Sequence, residues 1–333
     1  MALESVRFSI LDRSRVRRGQ DHAAALRETV AFAALAEQWG YRYHRFWVAE
    51  HHSVPGVAGT APTVLAAAVA AATARIRVGT GGVMLPNHQP LVVAEQFGVL
   101  ASLFPGRIDM GLGRSVGFTD GVRRALGHDL DDADDFDARL IEVLDYFEAG
   151  RQGVHAASAE GAHVPTFLLA TGAGAERAAR FGLPLVIAPI AGTRSMVEAI
   201  ERYRTLFQPS AQVPRPYVVV SAAVVIADST EQAHRLLLPE AWSSAYSRTH
   251  GEFPALIPPE EIDPATMTDR QRHHFEQALG NQIHGTEDQV AEALENLVGR
   301  TDADEILVHT STFDRAARLD SHRRLARVVG SGS

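Results

Sequence analysis

The chain of 333 residues contains no cysteine. That absence removes disulfides, thiolate nucleophiles, iron–sulfur ligation and thiolate zinc sites together. Lysine is missing as well, so all 32 basic residues are arginine. Schiff-base chemistry needs a lysine amine, as does the phosphate loop of P-loop enzymes, and both classes fall away. No apolar run reaches the roughly 20 residues that span a bilayer. The opening MALESVRFSI lacks a charged region followed by an apolar stretch, so the expected location is the cytoplasm. A formal charge of −8 leaves no basic surplus for a nucleic-acid surface. Low-complexity segments and linkers are also lacking, which leaves one domain over 1–329 and a frayed tail over 330–333.

What is present is a long alternation of short apolar runs with helical patterns, the signature of βα units around a parallel sheet. Strands are expected at Val6–Leu11, Arg45–Val48, Ile76–Thr80, Ile108–Gly111, Thr166–Ala170, Leu185–Ile187, Tyr217–Ile226 and Glu305–His309. Helices are expected at Ala23–Trp39, Ala61–Ala72, Pro90–Phe104, Glu176–Phe181, Ser195–Phe207, Thr230–Leu238 and Thr286–Val298. The first three stop at Gly40, Thr73 and Pro105. Eight strands with intervening helices predict an α/β fold, a (β/α)8 TIM barrel, over an open doubly wound sheet. Two stretches break the repeat, Ser115–Val164 after strand 4 and Pro239–His284 after strand 7. In a barrel such excursions are loops or lids at the catalytic end. The acidic run Asp129–Asp137 reads as a solvated loop and the N-terminus of a helix ending near Gly150.

Strand 2 runs into Glu50-His51-His52. Titratable groups at the C-terminal end of a barrel strand face the catalytic mouth, so Glu50, His51 and His52 are catalytic candidates for acid–base work. A metal is not expected, because neighbours on a strand point to opposite faces and all three could share one ion only across a sharp turn. Strand 3 ends in Gly79-Thr80-Gly81-Gly82, where glycines mark either a bulge or a place where a flat ligand meets the backbone. Strand 4 ends in Gly111-Leu112-Gly113-Arg114; its third glycine, Gly117, comes one place late for a dinucleotide fingerprint. Arg114 is a fork of donors suited to a phosphate. Strand 5 runs into Thr171-Gly172-Ala173-Gly174, a turn whose N–H groups at a helix start would face an anion.

Taken in order, the blocks FWVAEHH (46–52), GGVMLPNHQP (81–90) and AEQFGVLASLFPGRIDMGLGR (94–114) resemble the bacterial luciferase-like flavin-dependent monooxygenases. Weaker likeness continues through 180–184, 285–290 and 303–308. The resemblance implies a flavin ring in the barrel mouth. It implies that His51 handles protons around the reduced flavin, that Gly81-Gly82 is a non-prolyl cis peptide under the ring, and that Arg114 binds the phosphate. It implies ring-edge and phosphate contacts from Thr171, Gly172, Ala173 and Gly174, where the family's usual hydroxyl side chains are replaced here by glycine and alanine. A second phosphate arginine of luciferase falls near Asp137.

The implied chemistry is oxygenation of a small organic substrate by reduced FMN and O2 through a C4a-peroxyflavin, with FMNH2 supplied by a separate flavin reductase. Family members are often homodimers. Aldehyde, alkane, aromatic and polyketide-like substrates all stay open, and the alanine- and arginine-rich composition, which hints at a GC-rich bacterium, adds tailoring of an aromatic polyketide as one expectation among them. Competing readings are an F420-dependent oxidoreductase of the same fold, a non-catalytic flavin-binding barrel and a metal-dependent barrel hydrolase.

Overall fold

In the computed structural model the described residues are 3–39, 43–117, 119–190, 192–210, 212–280 and 282–330. Eleven strands follow in chain order: β1 Arg7–Asp12, β2 Tyr43–Val48, β3 Arg77–Thr80, β4 Val83–Met84, β5 Ile108–Gly113, β6 Thr166–Leu169, β7 Leu185–Ile187, β8 Val218–Ala222, β9 Val224–Ile226, β10 Ile283–Gly285 and β11 Glu305–Val308. Around them lie the helices α1 His22–Gln38, α2 Pro62–Ala71, α3 Pro90–Leu103, α4 Asp120–Leu126, α5 Phe136–Glu148, α6 Gly174–Arg180, α7 Thr193–Leu206, α8 Thr230–His250, α9 Asp269–Gly280, α10 Glu287–Thr301 and α11 Arg315–Gly330.

The sheet order β3-β2-β1-β11-β8-β7-β6-β5 closes through a further β3–β5 pairing, all parallel. This is the expected eight-stranded (β/α)8 barrel. Strand residues are buried on both faces, one against the helices and one inside the barrel, which is why they read as near-continuous apolar runs. Trp47, Phe167, Val186, Val219 and Leu307 fill the interior. Below them Arg45 lies 2.7 Å from Asp109 and 3.1 Å from Glu305, and Arg77 braces Asp109 at 2.6 Å. This charged plug closes the barrel floor, so any ligand enters from the other end.

Several boundaries differ from the sequence expectation. The run Tyr217–Ile226 is two strands: β8 stays in the barrel, while β9 leaves it to pair with β10. Both halves are uniformly apolar, so periodicity could not show the break. Helix α8 does not stop before Pro239 but carries it inside and runs on to His250. Its second half packs Ala241 and Ala245 against Ile262, Met267 and Phe275, a small core that offsets the hydrogen bond proline cannot make. The stretch expected as a loop is therefore a helical pair, α8 and α9. In the excursion after β5, α5 is the helix expected to end near Gly150, and α4 is an addition to it. Helix α11 was not anticipated, its arginine-rich pattern hiding a buried stripe of Ser321, His322, Leu325, Ala326 and Val329. Gly330, taken as tail, ends α11; 331–333 and the helix stop at Gly40 lie outside the described residues.

Candidate active site

The C-terminal ends of all eight barrel strands surround one cavity of about 810 Å³, within the usual range of small-molecule sites, about 300–1,000 Å³. Leu11, Val83, Met84, Leu169, Val186 and Ile187 make its wall apolar. The excursion after β5 contributes Leu130, Ala133 and Phe136. The α8–α9 excursion lies behind the wall instead of lining it.

The barrel is narrow where β3 ends. A Cβ on Gly111 would lie 2.0 Å from the Thr80 carbonyl oxygen, and one on Gly82 would lie 2.8 Å from that of Gly111. Only glycine lets these backbones approach so closely. The Gly81–Gly82 peptide is cis, and both residues line the cavity. A flat backbone wall is thus exposed to whatever occupies the cavity.

Just beyond β2 the chain turns, and Glu50, His51 and His52 separate. Glu50 is buried; its Oε1 accepts from His52 Nε2 at 2.6 Å and His88 Nε2 at 2.7 Å, and its Oε2 from the Met84 N–H at 2.8 Å. Burial acts to raise the Glu50 carboxyl, but these hydrogen bonds outweigh it and hold the group at about 2. The sequence reading had no partner from another segment for this cluster, and His88 is that partner. Ligand atoms of Glu50, His52 and His88 lie within 4.8 Å of one another, a spacing at which a metal could bind, although the sequence reading placed none here.

His51 points elsewhere. It lines the cavity, stacks edge-on against Phe253 at 5.7 Å and is pushed down to about 3, first by burial and then by Arg13 and Arg15. At neutral pH its imidazole is uncharged, able to give or take a hydrogen bond but not to serve as a standing cation. His309, at the end of β11, lines the same cavity and is pushed to about 3 by burial and Arg13.

On the opposite rim, Arg114 lines the cavity but is tethered: its Nε donates to the Ala133 carbonyl at 2.7 Å and its Nη2 pairs with Asp134. Thr171, Ala173 and Gly174 also line this end, next to the exposed Gly172. The N–H groups of Gly174, Ala175 and Glu176 donate to the carbonyls of Thr171, Gly172 and Ala173, so the turn largely satisfies itself. A cation the sequence reading missed compensates. Arg177, one turn into α6, lines the cavity beside Arg114 and pairs with Asp137, which Arg180 also approaches at 3.0 Å. Asp137, where the resemblance places an aspartate in the position of luciferase's second arginine, therefore pairs with an arginine from another element. The run Asp129–Asp137 is accordingly more than a solvated loop, since Asp134 holds Arg114 and Asp137 holds Arg177.

A model of the luciferase-like monooxygenase family matches residues 6–303. The chain belongs to the luciferase-like monooxygenases. It is 36% identical over 325 residues to a luciferase-like monooxygenase of Escherichia coli, covering 96% of each protein. A 112-residue stretch, 34% of this chain and 33% of the other, is 50% identical to the N-acetyl-S-alkylcysteine monooxygenase of Bacillus subtilis. Among solved structures, apo-MsnO8 superposes with a TM-score of 0.84 at 30% identity over 98% of both chains. The family and the barrel are thereby shown. Among the described residues no helix is long and apolar enough to cross a membrane.

Proposed function

We propose that this monooxygenase uses FMN, delivered in reduced form by a separate reductase in the cytoplasm, to oxygenate a small organic molecule. The observation that carries the reading is one cavity with an apolar slot, a bare glycine backbone on one wall, a neutral buried histidine beside it and two arginines at one end. That set fits a planar ring with a phosphate tail. Arg114 and Arg177 would hold the phosphate, helped by the turn Thr171–Gly174, and Gly81-Gly82 would face the ring.

When bound, reduced FMN would supply the electrons that split O2, one oxygen atom going to the substrate and the other to water. His51 would donate or accept a proton at the reacting face, and its neutrality keeps a positive charge away from that face. Glu50 would fix the turn that aims His51, with His52 and His88 as positioning residues. Leu11, Met84, Leu130 and Ile190 would exclude water, which otherwise diverts the oxidant to hydrogen peroxide. The match to an N-acetyl-S-alkylcysteine monooxygenase supports a small soluble substrate.

The test is titration with FMN and, separately, with F420, followed by aerobic turnover of the tighter-bound cofactor in its reduced form. Tight FMN binding with oxygen consumption supports the reading; preference for F420 without oxygen consumption replaces it with hydride transfer.

We also propose a homodimer. Val64 on α2 and Val92, Val99 and Leu103 on α3 are 69%, 44%, 49% and 64% exposed. Val64 also lines an apolar groove of about 560 Å³ between α1 and α2. An apolar surface of this kind on neighbouring helices is the usual mark of a partner surface.

A further inference from the structure

Arg13 and Arg15 both follow β1, and a single carboxylate serves the two. Arg13 lines the cavity, and its Nη2 lies 2.5 Å from Glu240 Oε1. Arg15, almost wholly buried, has its Nε 3.7 Å from Glu240 Oε2 and donates Nη2 to Ser243 Oγ at 2.5 Å and the Pro254 carbonyl at 3.3 Å. Among the described residues, the Nε of each arginine and Oε2 of Glu240 lack a hydrogen bond. Two positive charges thus meet one negative charge.

Among the described residues no other acid makes up the difference. Asp12 is taken by Arg318 at 2.7 Å, Glu28 by Arg17 at 2.8 Å, and Glu50 by His52, His88 and the Met84 N–H. The imidazoles nearest the pair, His51 and His309, are uncharged at neutral pH and cannot shift the balance. On His51 the arginines Arg13 and Arg15 act more strongly than Glu50 and Glu240, which shows the same surplus from the cavity side. Burial of an uncompensated guanidinium is costly, and a chain that keeps one beside a ligand cavity has left a place for an anion.

The barrel order fixes where that place lies. Arg13 follows β1, whereas Thr171, Gly174 and Arg177 follow β6, four strands away in a ring of eight. The two cationic ends therefore face each other across the mouth, and the proposed phosphate occupies the far one.

We infer that Arg13, backed by Arg15 and only half compensated by Glu240, is a carboxylate-recognising subsite, and that the substrate of this cavity is a small organic acid in its anionic form. This rests on the monooxygenase reading for what happens to the substrate, but not for its binding. Glu240 holds the guanidinium in place from behind while the carboxylate supplies the missing charge in front. The α8–α9 excursion, which supplies Glu240 and Ser243, thereby shapes specificity without lining the cavity.

The experiment is calorimetric titration of phenylacetate and of phenylacetamide, its neutral counterpart, into the protein with and without oxidised FMN. Phenylacetate should bind at least tenfold more tightly than phenylacetamide, and should bind alongside FMN. R13Q leaves Arg15 and Glu240 as a balanced pair and so should fold; it should abolish the preference. E240Q, which raises the surplus, should strengthen phenylacetate binding severalfold. Equal binding of the two probes, no binding of either, displacement of phenylacetate by FMN or inorganic phosphate, or an unaltered preference in R13Q would each overturn the subsite. A weakening in E240Q equal to that in R13Q would mark the cluster as purely structural. If reduced FMN, anionic at its ring, loses affinity in R13Q while phenylacetate does not, the charge serves the cofactor and the inference fails. FMN binding is measured in the same series by fluorescence, so a chain that prefers phenylacetate yet ignores FMN keeps the subsite and loses the flavin reading.

Discussion

His52 Nε2 donates to Glu50 Oε1 across 2.6 Å, and the same oxygen accepts His88 from the far side of a 38-residue separation. Both imidazoles face the carboxylate through the nitrogen that a metal would need. We expect purified protein to carry no stoichiometric metal, and EDTA to leave its flavin affinity and turnover unaltered. E50Q removes the charge that both rings bond to and should cost about 1–3 kcal/mol of stability. Denaturant melts check the second expectation, and a metal-dependent activity would refute the first.

His51→Ala should keep flavin affinity within about twofold while oxygen consumption becomes uncoupled, with hydrogen peroxide replacing product. Loss of a proton-handling group typically costs about 10²–10⁴-fold in rate. Peroxide yield per flavin oxidised is the measurement, and unchanged coupling would remove His51 from the chemistry.

Arg114 and Arg177 are expected to share the phosphate. R177Q and R114Q should each weaken FMN at least tenfold but leave riboflavin, which lacks the phosphate, unaffected. D137N, which loosens the hold on Arg177, should tighten FMN. Fluorescence titration of both ligands separates a phosphate contact from a general loss of the pocket.

Acid should destabilise the fold well above the carboxylate range. His51, His309 and His322 titrate near 3 in the folded chain, chiefly through burial, against an ordinary 6.5. The unfolded chain binds more protons between these values, so the stability they contribute is complete above 6.5 and falls as the pH drops toward 3. Glu50 and Glu240, held at about 2 against 4.5, add a further loss between 4.5 and 2. Urea midpoints should therefore drop between pH 7 and pH 5, and a flat profile there would contradict the buried neutral state of the histidines.

V64E or L103R should convert the expected dimer to a monomer in light scattering while leaving flavin affinity intact, since neither residue lines the cavity. A wild-type monomer at micromolar concentration would remove the proposed face.

Much of the barrel was legible because its strands and helices carry separate periods. Apolar runs of four to six residues bounded by Gly or Pro, and helices such as α3 opening on Pro90, signal their own limits locally. Where the local signal was uniform or misleading, tertiary contacts decided. Pro239 reads as a helix stop, yet α8 continues because the core around Phe275 holds it; β8 and β9 read as one strand because burial on every side erases the alternation that would mark their break.

The site divides in the same way. By itself the sequence determined the residues at the strand ends, the absence of lysine and cysteine that leaves arginine and histidine as the candidates for the working roles, and the glycines that let the backbone come close. Folding alone decided the partners. It brought His88 to Glu50, Arg177 beside Arg114, and Glu240 from a distant helix to the arginines after β1. The reason is physical: a barrel sets the ends of eight separated segments in one ring, and charge balance there depends on distances in space that no spacing along the chain encodes.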